Sequence, residues 1–121
     1  CSLIDAITSA NTNTSVGSCT AGDVSGTDVI QVSDAITLNS VNNSTGGVNA
    51  LPVISSNIKI QGSPGGTYLN RDSTGPEFRF FYVSASGELT LESVNLNGAL
   101  LSSGNTDADN SGAAIYNNGT L

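Results

Sequence analysis

The chain contains no histidine, tryptophan or methionine, and its only basic side chains are Lys59, Arg71 and Arg79. Without imidazole it lacks the usual general base and the commonest metal ligand. Cys1 and Cys19 alone cannot fill the four positions of a zinc site. Ten acidic residues against three basic ones leave a net charge of −7. No basic stripe can displace the counterions of DNA or RNA, so a nucleic-acid partner is excluded. An anionic membrane surface is disfavoured on the same ground. No apolar run approaches the roughly 20 residues of a spanning helix.

What the chain has instead is neutral polarity. Asn, Ser and Thr number 44, against 13 charged residues, and 14 Gly accompany them. Such side chains hydrogen-bond their own backbone and favour turns and exposed strands over helix interiors. Disorder is the plain alternative for this composition. Regularly placed Val, Ile, Leu and Phe clusters argue against it. At 121 residues the chain is expected to be one domain, 1–121, with a helical cap and cysteine loop over 1–20 and strands over 21–121.

The two cysteines lie close together near the N-terminus. A disulfide between Cys1 and Cys19 would contribute about 3 kcal/mol in the chain-entropy model. It would also place the chain in an oxidising compartment. Free thiols, or Cys1 as the lipid-bearing residue of a lipoprotein, are the alternatives; Cys19 as a ready partner favours the disulfide. With no targeting peptide in view, export is expected to be encoded upstream.

Ser2 to Ala10 is the one helix expected. Ser2 can cap it, and Asp5 stands three residues on, in the place of a capping-box Glu. Leu3, Ala6, Ile7 and Ala10 fall at i, i+3, i+4 and i+7 and give one apolar face. The polar run Asn11–Ser15 is expected to end the helix. So short a helix is marginal in water, and its apolar face must dock.

Beyond Cys19 short strands alternate with Gly, Asn, Ser and Pro breakers. Strands are expected at Asp28–Val32, Ala35–Val41, Asn57–Gln61, Phe78–Val83, Glu88–Leu91, Ser93–Asn97 and Ala114–Tyr116. The Phe78–Val83 run dominates the candidate core, although alternation should turn some of its members outward. Ile36 to Ile58, Leu38 to Ile60 and Ile60 to Tyr82 are each 22 residues apart. Inward apolar pairs at a fixed spacing are what stacked coils need. The expected fold is therefore all-β: a right-handed parallel β-helix of 22-residue coils with a short N-terminal capping α-helix. An antiparallel sandwich is the alternative, but it requires no such spacing and should show two-residue hairpin turns.

Cys1-Ser2-Leu3-Ile4-Asp5-Ala6-Ile7 resembles the CSLREA motif, Cys-Ser-Leu-Arg-Asp/Glu-Ala-Ile, that opens a family of exported bacterial β-helix proteins. Asn11-Thr12-Asn13, Gly17-Ser18-Cys19 and Asp28-Val29-Ile30 resemble its continuation. Leu51-Pro52-Val53-Ile54, Ile58–Gly62 and Leu89-Thr90-Leu91 look like the family's first coils. Gly112–Leu121 is similar to the GGGIYNxGTL coil motif of polymorphic outer-membrane proteins and autotransporter passengers. Ile4 stands where the family has Arg, and Ala113 where it has Gly. The resemblance implies architecture and export rather than a reaction. It implies secretion or display at a bacterial cell surface. It also implies that the chain continues past Leu121 or stacks end to end with another copy.

Candidate chemistry is sparse. β-helix lyases and hydrolases use clustered carboxylates, often with calcium and a basic residue. The candidates are Asp72 beside Arg71, Glu77 near Arg79, and Glu88 with Glu92 at the two ends of one strand, expected within reach of each other. A solvated strand face is the plainer reading of all three. Asn105, Asp107 and Asp109 space oxygen ligands as calcium loops do. Asn110 and Tyr116 stand where an EF-hand needs Gly and Glu, so a turn rich in Asn and Asp is favoured over calcium. The expectation is a non-enzymatic extracellular structural or adhesive protein with no cofactor, calcium being the one candidate. End-to-end self-association and a carbohydrate or cell-surface ligand are its expected partners. The alternative is part of a polysaccharide lyase or hydrolase.

Overall fold

A computed structural model describes residues 1–102 and 113–121. The chain begins with α1, Leu3–Thr12. Ser2 caps it in extended conformation, and its Oγ accepts the Asp5 amide at 3.0 Å. This satisfies one of the donors that every helix start leaves open. Leu3, Ile7 and Ala10 are buried along one face. Helical geometry continues past the expected end to Thr12, and Asn13 stops it with a left-handed φ of 55°. Thr8 and Thr12 fit inside the helix because their hydroxyls donate to the carbonyls four residues back.

Among the described residues eight strands follow: β1 Asp28–Val32, β2 Ile36–Leu38, β3 Asn57–Gly62, β4 Thr67–Arg71, β5 Phe81–Val83, β6 Glu88–Glu92, β7 Val94–Asn97 and β8 Ile115–Asn117. They form three short sheets, ordered β1-β3-β6, β2-β4-β7 and β5-β8, and every strand pair is parallel. Parallel neighbours need long connections, and here the connection passes through the other sheets. Ser93, at φ 53°, turns the chain from β6 into β7. Gly62 lies under that corner, where a Cβ would stand 2.1 Å from the Ser93 carbonyl oxygen.

The expected right-handed parallel β-helix of 22-residue coils is corrected by this pairing. Ile36 pairs with Leu69, and Ile58 pairs with Asp28 and Leu89, so Ile36 and Ile58 belong to different sheets. Ile30, Ile60 and Leu91 stand side by side at steps of 30 and 31 residues. The described residues form a small, mostly-β unit with one short helix and three short parallel sheets of two or three strands. The apolar 22-residue spacing is a by-product of alternation within separate strands. The sandwich alternative fails as well, because its ladders would be antiparallel.

The core lies between the sheets and under α1. Ile7, Leu51, Ile54, Ile58, Ile60, Leu69 and Leu89 are fully buried, as are Phe78, Phe80, Phe81 and Val83. The aromatic run thus turns inward almost entirely. Regular pleating begins only at Phe81, so Phe80 and Phe81 can both face the core. Phe78 and Phe80 meet edge to face at 6.2 Å, a favoured aromatic geometry. Tyr82 is the half-exposed member, stacked on Tyr116 of β8 with ring centroids 5.2 Å apart.

Candidate functional site

Cys1 and Cys19 are joined, with their Cα atoms 4.9 Å apart. The bond ties the start of α1 to the loop before β1, and Cys19 is buried. Asn11 fastens the other end of the helix through its bonds to Val53, Ser55 and Ser56. The calcium candidates Asn105, Asp107 and Asp109 lie outside the described residues. Among the described residues no three His, Cys, Asp or Glu side chains converge as a metal site would require.

The carboxylate candidates are spread out, and three of them hold local structure. Glu88 and Glu92 occupy the ends of β6. Four residues of strand separate their Cα atoms by about 13 Å. Glycosidase carboxyl pairs stand about 5 to 9.5 Å apart, so the expected proximity of these two is corrected. Glu92 forms an ion pair with Lys59 on β3 and accepts Gln61 Nε2 at 3.1 Å. Hydrogen bonding from Lys59 and then Gln61, with the Lys59 charge adding, holds its carboxyl below the ordinary range.

Asp72 closes a turn instead. Its Oδ1 accepts Thr74 Oγ1 at 2.7 Å and Thr74 N at 2.9 Å, which lowers its pKa, helped by the Arg71 charge. Arg71 donates to the carbonyls of Gly98, Asp72, Gly75 and Pro76 and so ties two loops together. Glu77 accepts the amide and hydroxyl of Ser102. Arg79 is fully buried, with Nη1 donating to Gly46 O at 2.9 Å and its guanidinium 5.0 Å from the Tyr116 ring centre.

Two surface features arise from residues that the fold brings together. A cleft of about 590 Å³ runs between α1 and the β1–β2 segment; Leu3, Ala6, Ala10 and Val32 line it together with Asp28 and Asp34. The second is the outer face of the β2-β4-β7 sheet. Thr37, Asn70 and Asn97 stand in one row across it, and Tyr68 and Asn95 in the next. Asn97 Nδ2 donates to Asn70 Oδ1 at 3.2 Å. Tyr68 is 51% exposed. No strand is expected at Thr67–Arg71 when breakers on both sides dominate the reading. The Tyr68-Leu69-Asn70 alternation was the available signal.

No family model, no curated protein and no solved structure matches the chain. The likeness of its opening to the CSLREA motif stands on those residues alone.

Proposed function

We propose that this chain is a non-enzymatic extracellular unit with a structural or adhesive role. The observation that carries the reading is the use made of the acidic groups. Glu92, Asp72 and Glu77 each bind neighbouring protein groups, and Glu88 is a strand length away from Glu92. Catalysis of polysaccharide cleavage needs a carboxyl pair aimed at one bond, and these are aimed at the fold. The Cys1–Cys19 bond supports an oxidising, extracellular setting. A surface dominated by uncharged hydroxyls and amides suits contact with a hydrated matrix, and the CSLREA-like opening extends the proposal to an exported bacterial surface protein.

The test is retention of the oxidised chain on insoluble polysaccharide matrices, alongside assays for newly released reducing ends and unsaturated sugars, with and without calcium. Retention without product is the expected result. Product release would overturn the non-enzymatic reading, and absence of retention on every matrix would overturn the adhesive one.

A further inference from the structure

We infer that the outer face of the β2-β4-β7 sheet binds a neutral polysaccharide, an inference that rests on the adhesive reading and assigns it a site. The face carries an aromatic ring and a row of amides at strand spacing. Tyr68 and Asn95 are direct neighbours on β4 and β7, and Asn70 and Asn97 are the next such pair. Thr37 extends the second row onto β2. Neighbouring strands are roughly 4.8 Å apart and alternate residues roughly 6.6 Å apart, so all five side chains lie within the footprint of a short oligosaccharide.

The hydrogen-bonding capacity of this face is largely unspent. Elsewhere the amides serve the fold: Asn11 binds Val53 O, Asn43 binds Leu51 O, and Asn49 binds Thr45 O and Asn43. Here the Asn70–Asn97 bond aligns two amides, while among the described residues no partner takes Asn70 Nδ2 or Asn97 Oδ1. Among the described residues, no protein partner takes the Asn95 amide or the hydroxyls of Thr37 and Tyr68. The Asn95 amide lies beside Gly66, where a Cβ would stand 2.5 Å from its nitrogen. That glycine, at φ 92°, leaves the room. Amides and hydroxyls together both donate and accept, which matches vicinal sugar hydroxyls. The electron-rich face of Tyr68 takes the polarised C–H side of a pyranose ring.

Charge selects among glycans. None of these five side chains is charged at neutral pH, in a chain of net charge −7. Glu88 and Glu92 lie on a different sheet. An anionic polysaccharide is repelled by the whole molecule, whereas a neutral one meets matched polarity. The nearby cation, Arg71 at the end of β4, has its Nε and Nη1 engaged with the carbonyls of Gly98, Asp72, Gly75 and Pro76. The face is open, so a single site should bind with a Kd of the order of 1 mM. Useful adhesion then needs many copies.

The experiment is affinity electrophoresis of the oxidised chain in gels containing dextran, laminarin, galactomannan or polygalacturonate. Retardation by at least one neutral polymer is expected. Tyr68→Ala should weaken it about threefold to tenfold, and Asn95→Ala about twofold to tenfold. Thr90→Ala, on another sheet, should not change it, and Tyr68→Phe should keep most of it if the variant unfolds at the same temperature as the parent. Retardation that survives both alanine variants overturns this site while leaving the adhesive reading intact. So does retardation by polygalacturonate alone. No retardation by any polymer, together with no retention on any matrix, removes both.

Discussion

Asn11 on α1 and Ser55, 44 residues later, meet in a hydrogen bond of 3.0 Å from the Ser55 amide to Asn11 Oδ1. The same side chain donates to Val53 O at 2.7 Å. One amide thus satisfies backbone groups on both sides of Ile54, which is fully buried. Asn11→Ala hands the exposed Ser55 amide and the half-buried Val53 carbonyl to water, and should cost about 0.5 to 1.5 kcal/mol. Urea unfolding monitored by circular dichroism reads it, and an unchanged midpoint would show that the bonds contribute nothing net.

Reduction of Cys1–Cys19 should lower stability by about 3 kcal/mol. It should also act unevenly along the helix. Asn11 still fastens one end, so hydrogen exchange should accelerate first at the Leu3–Ile7 end. Uniform acceleration through α1 would contradict this division of labour.

Ile58→Ala and Ile36→Ala separate the observed pairing from the 22-residue expectation, in which the two positions are equivalent. Ile58 is fully buried in the middle strand of its sheet, while Ile36 is half-buried on an outer strand. The first should cost about 2 to 5 kcal/mol and the second clearly less. Equal losses in parallel denaturation curves would contradict this difference in burial.

Acid should destabilise the fold through Asp72 and Glu92. Both carboxyls lie below their ordinary values in the folded chain. Each therefore favours the folded state while ionised, with the full effect above the unfolded carboxylate range, and loses that effect as pH falls through the lowered folded value. Glu92→Gln should flatten part of the melting-temperature profile below pH 5 and leave little difference at the acid end. Added salt should shrink the gap at neutral pH, since the Glu92 side chain is about half exposed, at 49%.

Gly87→Ala should be severe despite its small size. The added Cβ would stand 2.1 Å from the Ile54 carbonyl oxygen, a backbone atom with no room to retreat. A loss of about 1 to 3 kcal/mol is expected from forced overpacking, read as a lower melting temperature. Gly65→Ala, which meets nothing within 4 Å, is the matched control.

Local features were legible in the sequence wherever a single element decides them. Ser2 and Asp5 identify the helix start because capping is a contact within one turn. Leu89-Thr90-Leu91 and Val94-Asn95-Leu96 read correctly as strand because apolar and polar residues alternate in them. Pairing was not legible. Omitting β4 left Leu69 out of the register, and the apparent partner of Ile36 became Ile58 rather than Leu69. The burial of Phe80 and Phe81 together depends on an irregular approach to β5 that no periodicity encodes. The β2-β4-β7 face was hidden for the same reason: Tyr68, Asn95 and Asn97 become one surface only through the pairing of β4 with β7.

The order of pairing has a consequence for synthesis. β1 finds its partner β3 only about 30 residues later. At ribosomal speeds of roughly 5 to 20 residues per second, that is a wait of about 2 to 6 s. During it, β1 has an unpaired edge open to other nascent chains. α1, which packs against β1, precedes it in the chain. By docking on β1, α1 can therefore act as an internal chaperone, shielding it until the polypeptide that completes the sheet arrives.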